Sequence, residues 1–375
     1  AMAHKAIVSV TNDLFTDNRV NKVCLFLKDQ GYDVLLVGRL LPDSQPLDRP
    51  YKTKRMRLLF RKGAAFYAEY NLRLFFLLLF RRADLFVSND LDTLLANFCA
   101  SKLKKSCKLV YDSHEYYTEV PELMDRPKVK AVWERIEGWI FPKLKSVYTV
   151  NDSIAQRYSE KYGVGVKVVR NIAPKYQPDE VLSRADLGLP EDKFILILQG
   201  AGINVDRGAE ELIDAMKLLE HVLLIIVGDG DVLPKIKKNV ILYDLQNKVI
   251  ILGKRPYLEM MQYTANADLG LTLDKPNNLN YRFSLPNKVF DYIHARTPII
   301  CTDLIEVRKV VEGHDVGLIL NDLTPESLAL AVNSLRNDSK RMEQLKENCR
   351  KAAEKESWEG ECEVLKTIYP NVEKN

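Results

Sequence analysis

The sequence predicts an α/β chain built as two Rossmann-like lobes. Three observations lead there. Short aliphatic and β-branched runs recur along all 375 residues. The stretches between them have helical spacing or capping signals. The pattern then restarts after a polar, proline-containing segment at 171–180. Strand alternating with helix gives parallel sheets covered on both faces. Ligands of such sheets sit at the carboxyl ends of the strands, so the loops after the strands are where chemistry is expected.

In the first lobe, strands are expected at 6–10, 34–37, 85–87, 109–111, 147–150 and 166–169. The first is followed by TNDLFTDNRV (11–20), where Thr16 or Asp17 is placed to cap a helix running to about residue 29. The third leads into SNDLDT (88–93) and the fourth into DSHEYYTEVPEL (112–123). In the second lobe, strands are expected at 194–198, 222–227, 249–252, 269–273, 299–301 and 318–320. Their loops include QGAGINVDRGAEEL (199–212), GDGD (228–231) and NYRFSLPNKVFDYIHA (280–295), the last introducing a helix.

Composition agrees: 46% hydrophobic and 28% charged residues suffice for two filled cores. The longest strongly apolar run, 74–80, is bracketed by Arg73 and Arg81, whereas a bilayer crossing needs ~20 apolar residues. No transmembrane helix is expected, and the N-terminus lacks a signal-peptide pattern. The six cysteines form no C-x-x-C pair, and none of the five histidines lies three or four residues from another histidine or a cysteine. Reduced thiols, a cytoplasmic setting and no metal site are expected. The net charge of +4 is unevenly spread: residues 1–172 hold 29 basic and 19 acidic side chains, the remainder 26 and 32. A basic first half calls for an anionic partner, whether membrane, nucleic acid or phosphorylated substrate.

Gly200 and Gly202 open a dinucleotide fingerprint, but Val205 stands where its third glycine belongs, and Leu233 does the same for Gly228 and Gly230. A nicotinamide enzyme is thereby disfavoured. These glycines either let backbone approach a ligand or make ordinary tight turns. In SLPNKVFDYIHA, Pro286 suits a helix start, so backbone N–H groups near Ser284 and Leu285 are free to meet phosphate. Lys288 adds charge to that site, and Asp291, on the same helix face, is positioned for ribose hydroxyls; the plain alternative is a surface Lys288–Asp291 pair. Arg207 precedes Gly208 and a helix from Ala209, again a place to meet an anion or simply a solvated surface. Asp90-Leu91-Asp92 has a metal-binding spacing, but Asp92 as N-cap of the helix that follows is the better reading. His114, between Asp112 and Glu115, is either an acid–base group or a structural histidine.

Taken in order, TNDLFTDNRVNKV, SNDLDTLLAN, YDSHEYYTEVPEL, VVRNIAPKY, QGAGINVDRGAEELIDAM, LLIIVGDG, SLPNKVFDYIHARTPIICTD and SWEGECEVLKTIYP resemble a bacterial family 4 glycosyltransferase of the GT-B fold. The resemblance implies two facing Rossmann-like domains, an acceptor-side domain at 1–172 and a nucleotide-sugar domain at 173–356. A closing helix at 357–375 would cross back to the first. It also implies metal-independent transfer that retains anomeric configuration, the nucleotide-sugar being a substrate, with no cofactor.

Residue by residue, Arg207 matches the family's pyrophosphate-binding basic residue, and Lys288 lies in its phosphate loop with Leu285, Pro286 and Asn287. Gly200, Gly202 and Gly228 line the donor, and Asp291 takes the place of a ribose-binding glutamate. His114 matches the histidine that faces sugar and acceptor, with Asn18, Arg19 and Glu115 on the acceptor side. His114, Arg207 and Lys288 form the implied catalytic set. Two positions depart: Phe283 replaces the first glutamate of the family pair, and Gly202 replaces an arginine whose charge Arg282 or Arg255 could supply. The donor nucleotide and sugar, the acceptor and the oligomeric state are not encoded legibly.

Resemblance to cell-surface polysaccharide transferases implies a glycan or lipid-linked acceptor. Residues 52–82 carry nine basic side chains and one acid, Glu69, beside an aromatic helix. They suggest contact with an anionic membrane surface at its inner face, or else a core-facing helix with a solvated basic flank. Zinc-finger and RNA-recognition signatures are missing, so no nucleic-acid partner is expected. The rival functions are another GT-B enzyme, such as a nucleotide-sugar epimerase, and a basic nucleic-acid-binding module.

Overall fold

The computed structural model describes residues 3–369 and 372. The chain forms two compact units, one of residues 1–170 with 361–375, the other of 171–360. The first runs β1 (Lys5–Ser9), α1 (Asn18–Asp29), β2 (Asp33–Leu40), β3 (Lys52–Arg57), α2 (Gly63–Phe80), β4 (Leu85–Asn89), α3 (Leu94–Leu103), β5 (Lys108–Ser113), α4 (Pro121–Met124), α5 (Pro127–Ile140), β6 (Val147–Thr149), α6 (Asp152–Tyr162) and β7 (Lys167–Val168). Its sheet is all parallel, in the order β3-β2-β1-β4-β5-β6-β7.

The second runs β8 (Phe194–Gly200), α7 (Ala209–Met216), β9 (Val222–Gly228), α8 (Leu233–Leu242), β10 (Val249–Gly253), α9 (Tyr257–Asn266), β11 (Leu269–Thr272), α10 (Leu279–Arg282), α11 (Asn287–His294), β12 (Ile299–Thr302), α12 (Ile305–His314), β13 (Gly317–Leu320), α13 (Pro325–Arg336) and α14 (Ser339–Lys355). Its parallel sheet has the order β10-β9-β8-β11-β12-β13. The two-residue period of a strand explains its packing. Leu196 and Leu198 of β8 join Leu224 and Ile226 of β9 in one core layer with α7, α8 and α13. Ile195 and Ile197 join Leu223 and Ile225 in the opposite layer with α11, α12 and α14.

The last helix, α15 (Trp358–Ile368), leads the chain back to the first unit. Of the closing segment expected at 357–375, residues 370, 371 and 373–375 lie outside the described residues. Lys108 Nζ donates to Ile368 O at 2.8 Å, and the buried Tyr369 and Tyr148 hydroxyls meet at 2.8 Å. Glu361 takes Arg170 in a two-point ion pair at 3.0 and 2.8 Å.

Helix starts follow their side chains. Asp17 caps α1 through Val20 N–H, as expected, and Thr324 with Ser327 forms a capping box on α13. Asp92 is different. It lies inside a 3₁₀ turn, Leu91–Thr93, and α3 begins at Leu94 behind Thr93, which makes no side-chain cap. The N-cap reading of Asp92 is therefore wrong, because that turn adds residues before the helix and carries its carboxylate to Thr11 instead.

Candidate active site

In the second unit, four loops converge at the carboxyl edge of β8, β9 and β11. The loops after β8 and β9 are zipped together by backbone bonds: Asp229 N–H donates to Gly200 O, and Ile203 N–H to Asp229 O. This contact requires glycine. Gly228 has φ +138°, and a Cβ there would stand 1.8 Å from Gly200 O. Gly200, at φ +151°, leaves room for the end of Lys288, whose Nζ would be 3.2 Å from a Cβ at that position. Gly202 lies on the same loop, 3.8 Å by the same measure from Arg207 Cζ.

Arg207 stacks over the Tyr281 ring at 4.7 Å, donates to its hydroxyl at 3.3 Å and lies 3.6 Å from Asp274. Asp274 is buried after β11, and its Oδ2 accepts no hydrogen bond. Lys288 has no hydrogen-bond or ion-pair partner among the described residues, and burial pulls its pKa below the ordinary lysine value. Pro286 is the N-cap of α11, with no side chain capping the helix. Leu285, Asn287 and Lys288 N–H groups lie at that terminus, whereas Ser284 N–H is taken by Tyr281 O. An ammonium without a partner, a guanidinium and an open helix start form a place for an anion.

Asp291 is only 5% exposed and does not pair with Lys288. Tyr257 Oη donates to its Oδ1 at 2.8 Å and Gln199 Nε2 to its Oδ2 at 3.1 Å, while Thr264 Oγ1 donates to Gln199 Oε1. A surface Lys288–Asp291 pair is thus not formed. Phe283 is buried, and Arg255 is 3.4 Å from Glu259. Arg282 is exposed.

In the first unit, β1, β4 and β5 bring Thr11, Asn89, Asp90, Asp92, Asp112 and His114 together. His114 N–H donates to Asp90 Oδ1 at 2.8 Å, and its Nε2 is 2.9 Å from Asn89 Oδ1 and 3.4 Å from Asp112 Oδ2. Asp112 in turn takes Arg19. Burial tends to lower the His114 pKa, but the adjacent Asp90 and Asp112 carboxylates raise it overall, so the ring favours its protonated form. Burial pushes Asp92 up to about 6. Arg19, expected beside the acceptor, is buried and committed to Asp112 and Val169 O. Asn18 and Glu115 are exposed. Sequence reading missed Asp274, Tyr281, Gln199, Tyr257 and Asn89; only Asp274, directly after an aliphatic strand, had a signal in its position.

Among the described residues, no group of three or more His, Cys, Asp or Glu side chains is arranged to hold a metal ion, and no helix is long and apolar enough to cross a membrane. All six cysteines are free.

Comparison with known proteins agrees with this layout. The profile described as "Glycosyl transferases group 1" matches residues 179–352, and that described as "Glycosyltransferase Family 4" matches 18–172. No curated protein sequence gives a significant match. Among solved structures, sucrose-phosphate synthase from Thermosynechococcus elongatus is similar with a TM-score of 0.78 at 15% identity, covering 99% of both chains. Anabaena HepE, in complex with UDP and glucose, gives 0.72 at 17% identity over 97% of this chain and 98% of its own. WaaG, a glycosyltransferase involved in lipopolysaccharide biosynthesis, gives 0.69 at 15% identity over 98% and 100%.

Proposed function

The chain belongs to glycosyltransferase family 4 and has the GT-B fold, and on that premise we propose that it moves a sugar from a nucleotide-sugar to a hydroxyl of a glycan or lipid-linked acceptor. Transfer is metal-independent, retains anomeric configuration and serves cell-surface polysaccharide synthesis. The observation that supports this most directly is the Lys288 ammonium, without a hydrogen-bond or ion-pair partner among the described residues, beside Gly200 and Arg207.

Breaking the sugar–phosphate bond builds positive charge on the anomeric carbon and negative charge on the departing diphosphate. Groups that stabilise the second charge lower the barrier. Lys288, Arg207 and the backbone N–H groups of Leu285, Asn287 and Lys288 take that role, with Gly200, Gly202 and Gly228 letting the diphosphate approach backbone. Ribose hydroxyls replace the Tyr257 hydroxyl on Asp291. The acceptor enters on the first unit near His114, Asn18 and Glu115, and its proton passes to the leaving phosphate oxygen. HepE with UDP and glucose and the lipopolysaccharide enzyme WaaG support this choice of donor and product.

The acceptor side docks at the inner face of an anionic membrane through residues 52–82. On α2, Leu72, Phe76 and Phe80 recur every fourth residue and are all exposed, with Phe76 and Phe80 stacked at 6.1 Å. Lys54, Arg57, Arg61 and Lys62 are exposed nearby in sequence. An apolar stripe with cations suits a lipid interface.

The test is a thermal-shift panel of UDP, GDP, ADP, TDP and their sugars in excess EDTA. A ligand at a hundred times its dissociation constant adds ~2.7 kcal/mol. If no nucleoside diphosphate stabilises the protein, the donor reading fails. If turnover stops in EDTA and manganese or magnesium restores it, metal independence fails.

A further inference from the structure

Asp90 has φ +61° and ψ 169°, a conformation nearly reserved to glycine because a Cβ crowds the backbone there. The backbone is pinned in it: Asp90 N–H donates to Asp112 O at 2.9 Å, and Asp90 O accepts from Thr93 N–H at 3.4 Å. Glycine would take this shape without strain. The residue present is a carboxylate, and both its oxygens turn to His114, Oδ1 to the backbone N–H at 2.8 Å and Oδ2 towards ring Nδ1 at 3.6 Å.

The other ring nitrogen is fixed by chemistry. Asn89 Nδ2 donates to Ser9 O at 3.1 Å, which leaves Asn89 Oδ1 facing His114 Nε2 at 2.9 Å, beside Asp112 Oδ2 at 3.4 Å. Both neighbours of Nε2 are acceptors, so Nε2 carries a proton. Nδ1 meets Asp90 at a distance longer than a hydrogen bond, so a proton there remains available to a ligand oxygen.

We propose that Asp90 is a positioning residue that keeps a second proton on His114, at Nδ1, so that His114 acts as a fixed cationic hydrogen-bond donor to a substrate oxygen and not as a general base. The surrounding charges agree. Asp17 before α1, Asp90 and Asp92 after β4, Asp112 on β5 and Glu115 in the loop beyond it face this cluster, with Arg19 as a cation paired to Asp112; burial raises the Asp90 carboxyl while His114 beside it lowers it, so Asp90 and His114 titrate as a pair, and Asp112 is the carboxylate held ionised. The field favours an imidazolium, and the carboxylate nearest Nδ1 is that of Asp90.

The catalytic meaning rests on the glycosyl-transfer reading; the protonation state does not. The experiment is therefore nitrogen NMR on the full chain with labelled histidine, His114 assigned through His114→Gln. Both His114 ring nitrogens are expected in the protonated range from pH 6 to 9. Asp90→Asn should give a neutral ring with its proton on Nε2 at pH 8, and Asp90→Gly, which suits the backbone, the same spectrum. With an active donor, Asp90→Asn should lower kcat at least tenfold and leave the donor KM within twofold. A parental His114 that is neutral at pH 8, or an unchanged titration in both variants, overturns the proposal. The spectrum decides the protonation state even if no nucleotide-sugar is turned over, an outcome that would count only against the proposed function.

Discussion

Arg19 and Asp112, ninety-three positions apart, form a buried two-point ion pair with Nε–Oδ2 at 3.2 Å and Nη2–Oδ1 at 2.8 Å. The third guanidinium nitrogen donates to Val169 O at 2.8 Å, so one side chain ties α1 to β5 and to the residue after β7. Burial would raise the Asp112 carboxyl, yet Arg19 and His114 hold it down to about 2. Removing one partner of such a pair strands a buried charge at ~3–5 kcal/mol, whereas an apolar pair of similar volume loses far less. Asp112→Ala should therefore lower the urea midpoint much more than the double variant Arg19→Met/Asp112→Leu. The folded pKa is below the unfolded value of ~3.9, so this contribution is complete above ~pH 5 and lost as pH falls towards 2. The difference between parent and double variant should shift against the parent across that window. A difference independent of pH would contradict the assignment.

Gly228→Ala tests whether the two donor loops depend on close backbone contact. The new Cβ would sit 1.8 Å from Gly200 O at φ +138°, so the β8 and β9 loops must separate. Strain of this kind, at a backbone position that suits glycine, costs on the order of 1–3 kcal/mol. The variant should show a lower melting temperature and weakened nucleoside-diphosphate binding together. Gly313→Ala, in α12 with open space around its Cβ, serves as the control. Equal binding by Gly228→Ala and the parent would show that the donor does not use this loop pair.

The strands most legible in sequence are those buried on both faces, such as β9, VLLIIVG, in which every residue is buried. It missed β3, KTKRMR, because four of its six residues are cationic and it lies at a sheet edge. Charges there discourage further strand pairing, and they conceal the strand's alternation. In the donor region, Arg207 and Lys288 were legible because each stands at a helix start after a strand. The partners of Asp291 were not: Gln199 and Tyr257 are 92 and 34 residues away, and only the tertiary fold brings the end of β8 and the start of α9 to α11. The same holds for Asn89, the last residue of β4, and His114, the first residue after the neighbouring strand β5. Asp92 misled because a local cap and a long-range bond to Thr11 use the same carboxylate, and sequence displays only the local option.

Membrane docking makes a prediction that separates cations already occupied from those available. Lys52 is 3.3 Å from Asp33 and Arg55 is 3.8 Å from Asp13, so these contribute less than their sequence suggests. Each of Lys54, Arg57, Arg61 and Lys62 near an anionic surface is worth ~1 kcal/mol. Their replacement with glutamine should release the protein from phosphatidylglycerol vesicles and leave nucleotide binding intact. Phe76→Ser/Phe80→Ser should weaken binding with less dependence on salt. Sedimentation equal to the parent in both variants would place any lipid contact elsewhere.

The donor site gives the sharpest test, because its two cations differ in what they touch. Arg207 is held by Tyr281 and Asp274, whereas Lys288 has no partner among the described residues. A charge-assisted contact contributes roughly 1.5–3 kcal/mol, so Arg207→Ala and Lys288→Ala should each weaken nucleoside-diphosphate binding about ten- to a hundred-fold in calorimetric titration. Lys288→Ala should do so with little loss of stability, since it also removes the desolvation cost that outweighs the nearby Asp274 and Asp291 charges. Because burial depresses the Lys288 pKa, affinity in the parent should begin to fall at a pH below 10.5, as the ammonium loses its proton before a diphosphate arrives. That fall should be missing in Lys288→Ala. Tyr257→Phe, which frees Asp291 Oδ1, should increase the preference for a ribonucleotide over its 2′,3′-dideoxy analogue, and Asp291→Ala should abolish it. If both alanine variants bind like the parent, or if Asp291→Ala keeps the ribose preference, the nucleotide is held by other residues.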